Sequence, residues 1–584
     1  MKSVKTALLA GAAFVALASP VFAQSNAGTD SAPKTHHRHV AATTDSGRLE
    51  RLEHLVEQQE QQIQDLKSQL GSGQANAQVS ATQFQTLQTQ VTETQAAVKT
   101  ATANQGAVKF NHAHLTISSP DGRYTFSPIV DVQGDWASYS KGQPLPNGIT
   151  TGKNDLKSSG ENFRRASIGF QGTFAGDFGY KFLYDFGGAN GNETYQGYPG
   201  PNSGVYVQSC TVKTSPCPVA DQTTTLLNNA YNTSTGAGTG PHIRYAWVSY
   251  KGILAPFTFQ IGSMPTPANL NDMTSADDLL FNERPSPSQL SRGLDGDDGR
   301  ESVGFIGNGD IWQASLYLTG DTFGKAALLA PQTTYGGGQE AVVGRVALAP
   351  WYDPATNFNV HLGGNFGYVI HPQEATSVTA SGVSGVTTYG ITFSDRPELR
   401  VDNVTFLNTG AINSKSAYSA GVEGAFSYGP FLIQGENFWY GIDRNNPGTG
   451  ISNPSFAGWY VEGSWVLTGD VHKYNMATAS YTRPSPATPF DPSNGYWGAW
   501  ELAGRYSDTN LDYDATSTFK NATTGVSEAV LGGIQKIWSA GINFYPNDTL
   551  KFMFDYQNVT LKDIGAVNQN GSYNTLSVRT QVTF

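Results

Sequence analysis

The stretch TLKFMFDYQ, Thr549 to Gln557, changes face at every residue. Leu550, Phe552, Phe554 and Tyr556 share one side, and Lys551 and Asp555 share the other. A period of two defines a β-strand. GYKFLYDFGG at 179–188 repeats the design, with Tyr180, Phe182, Tyr184 and Phe186 against Lys181 and Asp185. In IWSAGINFYPND, Trp538, Ala540, Ile542 and Phe544 share a face. Aromatic-ended alternation of this kind is weak in one segment and additive over many, and it is the signature of a transmembrane β-barrel.

Working outward, alternation predicts strands at about 123–139, 162–174, 178–187, 242–252, 255–263, 300–307, 310–319, 341–350, 357–369, 415–427, 430–440, 456–467, 496–508, 535–546, 548–560 and 574–584. That is an even set of sixteen, joined by connections that alternate long and short, as an antiparallel barrel requires. The connection at 468–495 departs from the alternation. Its flanking strands are expected to run further than drawn. The final strand alternates Leu576, Val578, Thr580, Val582 and Phe584 with Ser577, Arg579, Gln581 and Thr583. The expected fold class is all-β, a 16-stranded antiparallel transmembrane barrel over 123–584, preceded by an α-helical coiled coil.

Composition agrees. Of 584 residues, 65 are glycine, 11% are aromatic and only 14% are charged, against about 25% charged in an average soluble domain. Lys2 and Lys5, the apolar run ALLAGAAFVALA from Ala7 to Ala18 and the small-residue site VFA read as a signal peptide over 1–23. No later apolar run is long enough for a membrane helix. Residues 24–47 form a linker holding His36, His37 and His39, which compositional grounds leave as solvated rather than metal-binding. Over 48–104, Leu49, Leu52, Val56, Ile63, Leu66 and Leu70 follow heptad spacing, with Gln59 in the one missing place. Ala77, Phe84, Leu87, Val91 and Val98 keep the phase, so a coiled coil with other copies of the chain is expected. Residues 105–122 link it to the barrel. Cys210 and Cys217, in an exported loop, are expected to form a small disulfide.

Several chemistries are excluded. A net charge of −11 argues against nucleic-acid binding. DGDDGRE at 295–301 lacks the glycine and terminal glutamate of a calcium loop, and there is no phosphate loop, GxSxG or HExxH. The expectation is no enzyme, no cofactor and no metal.

ENFRRASIGFQGTFAGDFGYKFLYDFGG, YAWVSYKGILAPFTFQIGSMPTPANLNDMTSADDLLFNERP, YGPFLIQGENFW, GWYVEGSWVLTGD, WGAWELAGRYSDTNLD and INFYPNDTLKFMFDYQNV resemble, in order, segments of the phosphate-selective porin O and P family. The resemblance implies a homotrimeric sixteen-stranded porin of the Gram-negative outer membrane, with its coiled coil in the periplasm. It also implies that the third outer loop, 264–299 here, folds inward as the constriction. The aromatic C-terminus, Phe584, resembles the signal read by the barrel-assembly machinery; outer-membrane lipid and, through the coiled coil, the cell wall are further expected partners.

Family members that bind phosphate use lysines at the constriction, and this loop has none. Its charged residues are Asp272, Asp277, Asp278, Glu283, Arg284, Arg292, Asp295, Asp297, Asp298 and Arg300. Alternation places Arg165, Lys181, Arg244, Arg345, Arg505, Lys551 and Arg579 in the lumen as bases. As acids it places Asp131, Asp135, Asp185, Glu423, Glu436, Glu462, Glu501 and Asp555 there. Charged rings set ionic preference in a pore, and this wall is nearly balanced around an acid-rich loop. The expected function is a passive channel for small hydrophilic solutes and ions, with a mild preference for cations. The alternatives are a phosphate- or polyphosphate-selective porin and a non-transporting barrel used as a structural tether. Pairing of these charges between loop and wall is as strong a reading as a ladder for solute.

Overall fold

A computed structural model describes residues 45–70, 85–95, 106–111, 114–141, 158–187, 206–210, 222–226, 242–295, 299–322, 339–378, 384–402, 404–564 and 569–584. The expected signal peptide, the histidines at 36–39, the Cys210–Cys217 pair, and Asp297 and Asp298 fall wholly or partly outside the described residues. The chain divides into Met1–Ala103 and Asn104–Phe584. In the first unit, helix α1 spans Asp45–Leu70 and helix α2 spans 85–95. Val56, Gln59 and Ile63 in α1 are half-buried between exposed neighbours, as spacings of three and four dictate.

In the second unit a short hairpin, Ala107–Asn111 with His114–Ser118, leads into the barrel. Sixteen strands follow: β1 Thr125–Lys141, β2 Ser159–Phe174, β3 Phe178–Asp185, β4 His242–Leu254, β5 Phe257–Met264, β6 Arg300–Asn308, β7 Trp312–Thr322, β8 Glu340–Asp353, β9 Phe358–His371, β10 Ile412–Tyr428, β11 Phe431–Arg444, β12 Ser455–Val466, β13 Ala499–Tyr513, β14 Val530–Tyr545, β15 Leu550–Ile564 and β16 Gln569–Thr583. Every neighbouring pair is antiparallel, and β16 closes on β1 from Tyr573 opposite Lys141 to Thr583 opposite Asp131. Closure removes the sheet edges that a lipid environment would leave without hydrogen-bond partners.

Burial alternates along the strands, as in β12, where Phe456, Gly458 and Tyr460 are buried and Trp459 and Val461 are exposed. The outward residues form two aromatic belts. Phe431 stacks on Trp465 and Trp500 on Phe544 near the short turns. Eight positions along β11 lies Trp439, and Trp459, Tyr506 and Trp538 continue that second belt. At about 3.4 Å per residue and a tilt of about 40°, eight residues rise ~21 Å, close to the apolar band of an outer-membrane barrel.

The lumen is partly filled by three inward-folded segments. The connection after β5 carries α3, Leu270–Met273, and α4, Ser286–Asp295. The connection after β9 returns inward over 391–408, packing Leu399, Val401 and Phe406 against Ala137, Tyr139, Ile537, Val559, Leu561 and Tyr573. Phe393 from the same connection and Leu290 and Leu294 from α4 share a core with Tyr440, Phe456 and Leu511. Each such buried side chain contributes about 1.5–3 kcal/mol, so the two connections are seated by apolar packing.

The third segment enters from the short-turn end. The flanking strands were expected to extend into 468–495, but β12 stops at Val466 and β13 begins at Ala499. Between them Tyr474–Asn475 pairs with Ser480–Tyr481, and Tyr474, Ala479 and Tyr481 are buried with Ala347, Ala425 and Leu432 of the inner wall. The extra length is a lumen-filling turn, which alternation alone does not reveal.

Candidate functional site

The loop between β5 and β6 is held by the wall at points from Leu270 to Ser291. α3 begins at Asn269, whose Oδ1 accepts the Asp272 amide at 2.8 Å. The next free amides, Leu270 and Asn271, donate to the two oxygens of Glu436 on β11 at 2.8 and 3.2 Å. A carboxylate suits amides left unpaired at a helix start. Tyr460 also donates to Glu436, at 2.7 Å, and Asn271 reaches Glu462 at 3.3 Å.

The descending segment is gripped through its backbone. Lys551 Nζ donates to the Leu279 carbonyl at 2.5 Å, Asn543 to Leu280 at 3.0 Å and Arg505 to Glu283 at 2.9 Å. The Asn282 amide donates to Asp555 at 2.9 Å, and Arg579 donates to the Asn282 carbonyl. The Arg505 guanidinium lies 4.5 Å from the centre of the Phe281 ring. At α4, the Ser286 amide donates to Glu398 at 2.9 Å, and Glu398 pairs with Arg505 at 2.6 Å. Tyr440 donates to the Pro287 carbonyl at 2.6 Å and Ser291 bonds Ser419 at 2.9 Å.

The loop's own charges are mostly consumed. Arg292 pairs with Asp272 at 2.5 Å. Arg284 donates to the Asn271 and Thr274 carbonyls, so it holds the turn after α3. Arg300 reaches the Gly293 carbonyl at 3.4 Å. Ser291 donates to the buried carboxylate of Asp295 at 3.0 Å. Gln133 donates to Asp277 at 3.2 Å, while Asp278 remains half-exposed. Burial alone would raise the Glu283 carboxyl, but Arg164 and Arg579 beside it hold it well below the usual carboxylate range.

The fifteen wall residues singled out by alternation fall into three groups. Glu436, Glu462, Arg505, Lys551, Asp555, Arg579 and its partner Asp135 face the inward loop. Arg345, Glu423 and Glu501 face the short-turn segment. Arg345 pairs with Glu423 at 2.9 Å and donates to the Thr478 and Ala479 carbonyls at 2.8 and 2.9 Å. Glu501 meets His472 Nε2 at 2.5 Å, while His472 Nδ1 faces the Thr482 carbonyl at 2.8 Å.

The last group, on β1–β4, is the least covered. Arg244 lies 3.6 Å from Asp131 and Arg165 donates to Gln133 at 2.7 Å. Asp185 accepts the Ala166 and Gly187 amides, and half-exposed Lys181 lies 5.2 Å from the Tyr245 ring centre.

Strict alternation missed Arg164. The β1–β2 register runs from Gln133 opposite Arg165 to Gly134 opposite Phe163, so a bulge at Arg164 turns both arginines inward. The pair FRR was the only visible sign. Arg396, Glu398, Arg400, His472 and Arg483 were also missed, because they lie on connections where no period applies.

A closed sixteen-stranded barrel, belted by aromatics outside and lined with paired charges inside, defines a channel-forming protein of the outer membrane. The family model for phosphate-selective porin O and P matches residues 222–584, more than half of the chain, and the chain belongs to that family. It is thus an outer-membrane porin. An uncharacterized protein of Caulobacter vibrioides is 29% identical over 180 residues, 30% of this chain and 32% of that one. The match therefore spans about a third of that relative's length. Among solved structures, Pseudomonas putida OprB aligns with a TM-score of 0.42 at 10% identity, covering 79% of this chain and 94% of its own. An anion-selective porin from Comamonas acidovorans aligns at 0.40 and 11%, covering 79% and 100%. Vibrio cholerae OmpT aligns at 0.39 and 10%, covering 79% and 98%.

Proposed function

We propose that this porin passes small hydrophilic solutes and ions by passive diffusion, without catalysis, through the part of the lumen that the inward loop leaves open. The observation that carries the reading is the condition of the loop. Its backbone is bound to β10–β16, and most of its charges are paired within the loop or, at Asp277 and Glu283, with Gln133, Arg164 and Arg579 of the wall, so it narrows the barrel as a fixed partition. Asp277, Asp278, Glu283, Arg284, Arg292, Asp295, Asp297, Asp298 and Arg300 belong to this constriction, with Arg396, Glu398 and Arg400 from the connection after β9. In this reading residues 48–104 form a periplasmic coiled coil and the functional unit is a homotrimer.

Pairing also changes the expected selectivity. Asp272 is neutralised by Arg292 of the same loop and Glu283 by arginines of the wall, at 2.5–3.0 Å, so one acid of the loop's excess is cancelled from outside it. With the pairs Asp272–Arg292, Glu283–Arg164 and Asp395–Arg400 set aside, the half-exposed charges include Lys181, Arg300, Arg396 and Arg483 against Asp277 and Asp278. We therefore infer a mild preference for anions. A dedicated phosphate site is less well supported, because Arg164 and Arg400 already hold carboxylates at 2.6 and 2.8 Å that phosphate would have to displace. Reversal potentials of the purified protein in planar bilayers, across a potassium chloride gradient, test this reading. Absence of single-channel current would sink the channel and favour a tether. Block by low phosphate concentrations would replace the general pore with a phosphate-selective one.

A further inference from the structure

We propose that Glu283 sets the ionic preference of this channel by acting as the counter-ion that masks Arg164. The inference rests on the diffusion reading above and names the charge that governs it. Glu283 lies between α3 and α4 with its side chain only 4% exposed, and three guanidinium groups from three parts of the molecule converge on it. Arg164 of β2 brings Nε to Oε1 at 2.6 Å and Nη2 to Oε2 at 3.0 Å. Arg579 of β16 brings Nη2 to Oε1 at 3.0 Å, and Arg400 of the connection after β9 brings Nε to Oε2 at 3.8 Å.

Two of the three have a second carboxylate. Arg579 forms a two-pronged pair with Asp135 at 2.6 and 2.7 Å, and Arg400 donates to Asp395 at 2.8 Å. Arg164 instead directs both donors at Glu283, and it is the most water-exposed member, at 18% of its side chain. The bulge that turns Arg164 inward therefore places a cation at the water boundary, and Glu283 cancels it from behind. Neutralising Glu283 leaves the loop's backbone bonds in place, including Arg505 to the Glu283 carbonyl, because they do not use the carboxylate. What changes is one uncompensated positive charge facing the lumen.

The test measures reversal potentials in a potassium chloride gradient for the wild type, Glu283→Gln, Arg164→Gln and the double variant. A unit charge about 7 Å from the ion path, at an effective dielectric of about 50, alters the permeability of each ion roughly fivefold and in opposite senses for chloride and potassium, so their ratio changes roughly twenty-fivefold. Glu283→Gln is expected to raise the ratio by about that factor, and Arg164→Gln to lower it. The double variant should return close to the wild type. A conducting Glu283→Gln channel with wild-type selectivity overturns the proposal while leaving diffusion intact. So does a double variant that keeps the single variant's shift. Should Glu283→Gln fail to assemble, Arg164→Gln decides alone, and an unchanged ratio there rejects the proposal. A wild type without current would instead remove the diffusion reading itself.

Discussion

Arg505→Ala should loosen the inward loop without opening the barrel. Arg505 pairs with Glu398 at 2.6 Å and Glu462 at 3.5 Å, donates to the Glu283 carbonyl at 2.9 Å and covers the Phe281 ring. Its loss leaves two buried acids without their partner, and removing one member of a buried pair costs about 3–5 kcal/mol. The lost charged hydrogen bond and ring contact overlap with that cost and do not add in full. Taking ~4 kcal/mol, the equilibrium between seated and displaced loop shifts roughly a thousandfold. The β-ladder does not pass through this side chain, so the barrel itself should survive. The assay is single-channel recording, with heat-dependent gel mobility as the check on barrel folding and limited proteolysis as the check on the loop. Arg505→Ala should conduct with frequent steps between levels, and protease should cut within 264–299. Adding Glu398→Gln removes one stranded charge and should recover about 1–3 kcal/mol of the loss. A folded variant with quiet current and a protected loop would refute the assignment of Arg505 as the loop's clamp. So would strictly additive damage in the double variant.

Three further outcomes are expected. Burial alone would lower the His472 imidazole, but the Glu501 carboxylate beside it raises it above its ordinary value. The charged form therefore fastens the short-turn segment fully below about pH 6.5 and is lost as pH rises through the raised value; current noise should grow at alkaline pH and become pH-independent in His472→Gln. Gly367→Val should push Asp295 away from β9, because a Cβ there overlaps the Asp295 carboxylate, and the altered α4 seat should appear as a changed conductance with the barrel intact. Ala540→Arg, exposed on β14 between Trp538 and Phe544, should cost about 2–4 kcal/mol in urea unfolding from vesicles, whereas an unchanged midpoint would place that position outside the lipid band.

Strand number and face were legible because lipid and lumen impose opposite demands on successive residues. Lys551 and Asp555 could be assigned inward from TLKFMFDYQ alone, since a charge facing lipid is expensive. The same rule failed at Arg164, where one extra residue in β2 reset the alternation. It was silent over 391–408 and 468–495, because connections carry no period, and their partners lie far away in sequence. Glu398, for example, finds Ser286 and Arg505 at separations above one hundred residues.

The charge count of the loop does not translate directly into the charge that a solute meets, for a physical reason. Seven acids in 264–300 suggested an acidic eyelet, but burial of a charge is tolerated only with a partner. A loop folded into the lumen must therefore pair its charges, and here Arg292 takes Asp272 within the loop while Arg164 and Arg579 of the wall take Glu283. Selectivity in such a pore is set by the few charges that pairing leaves at the water boundary. Arg164 stands at that boundary with Glu283 behind it, and under the masking proposed above a single carboxylate would outweigh the composition of the loop that carries it.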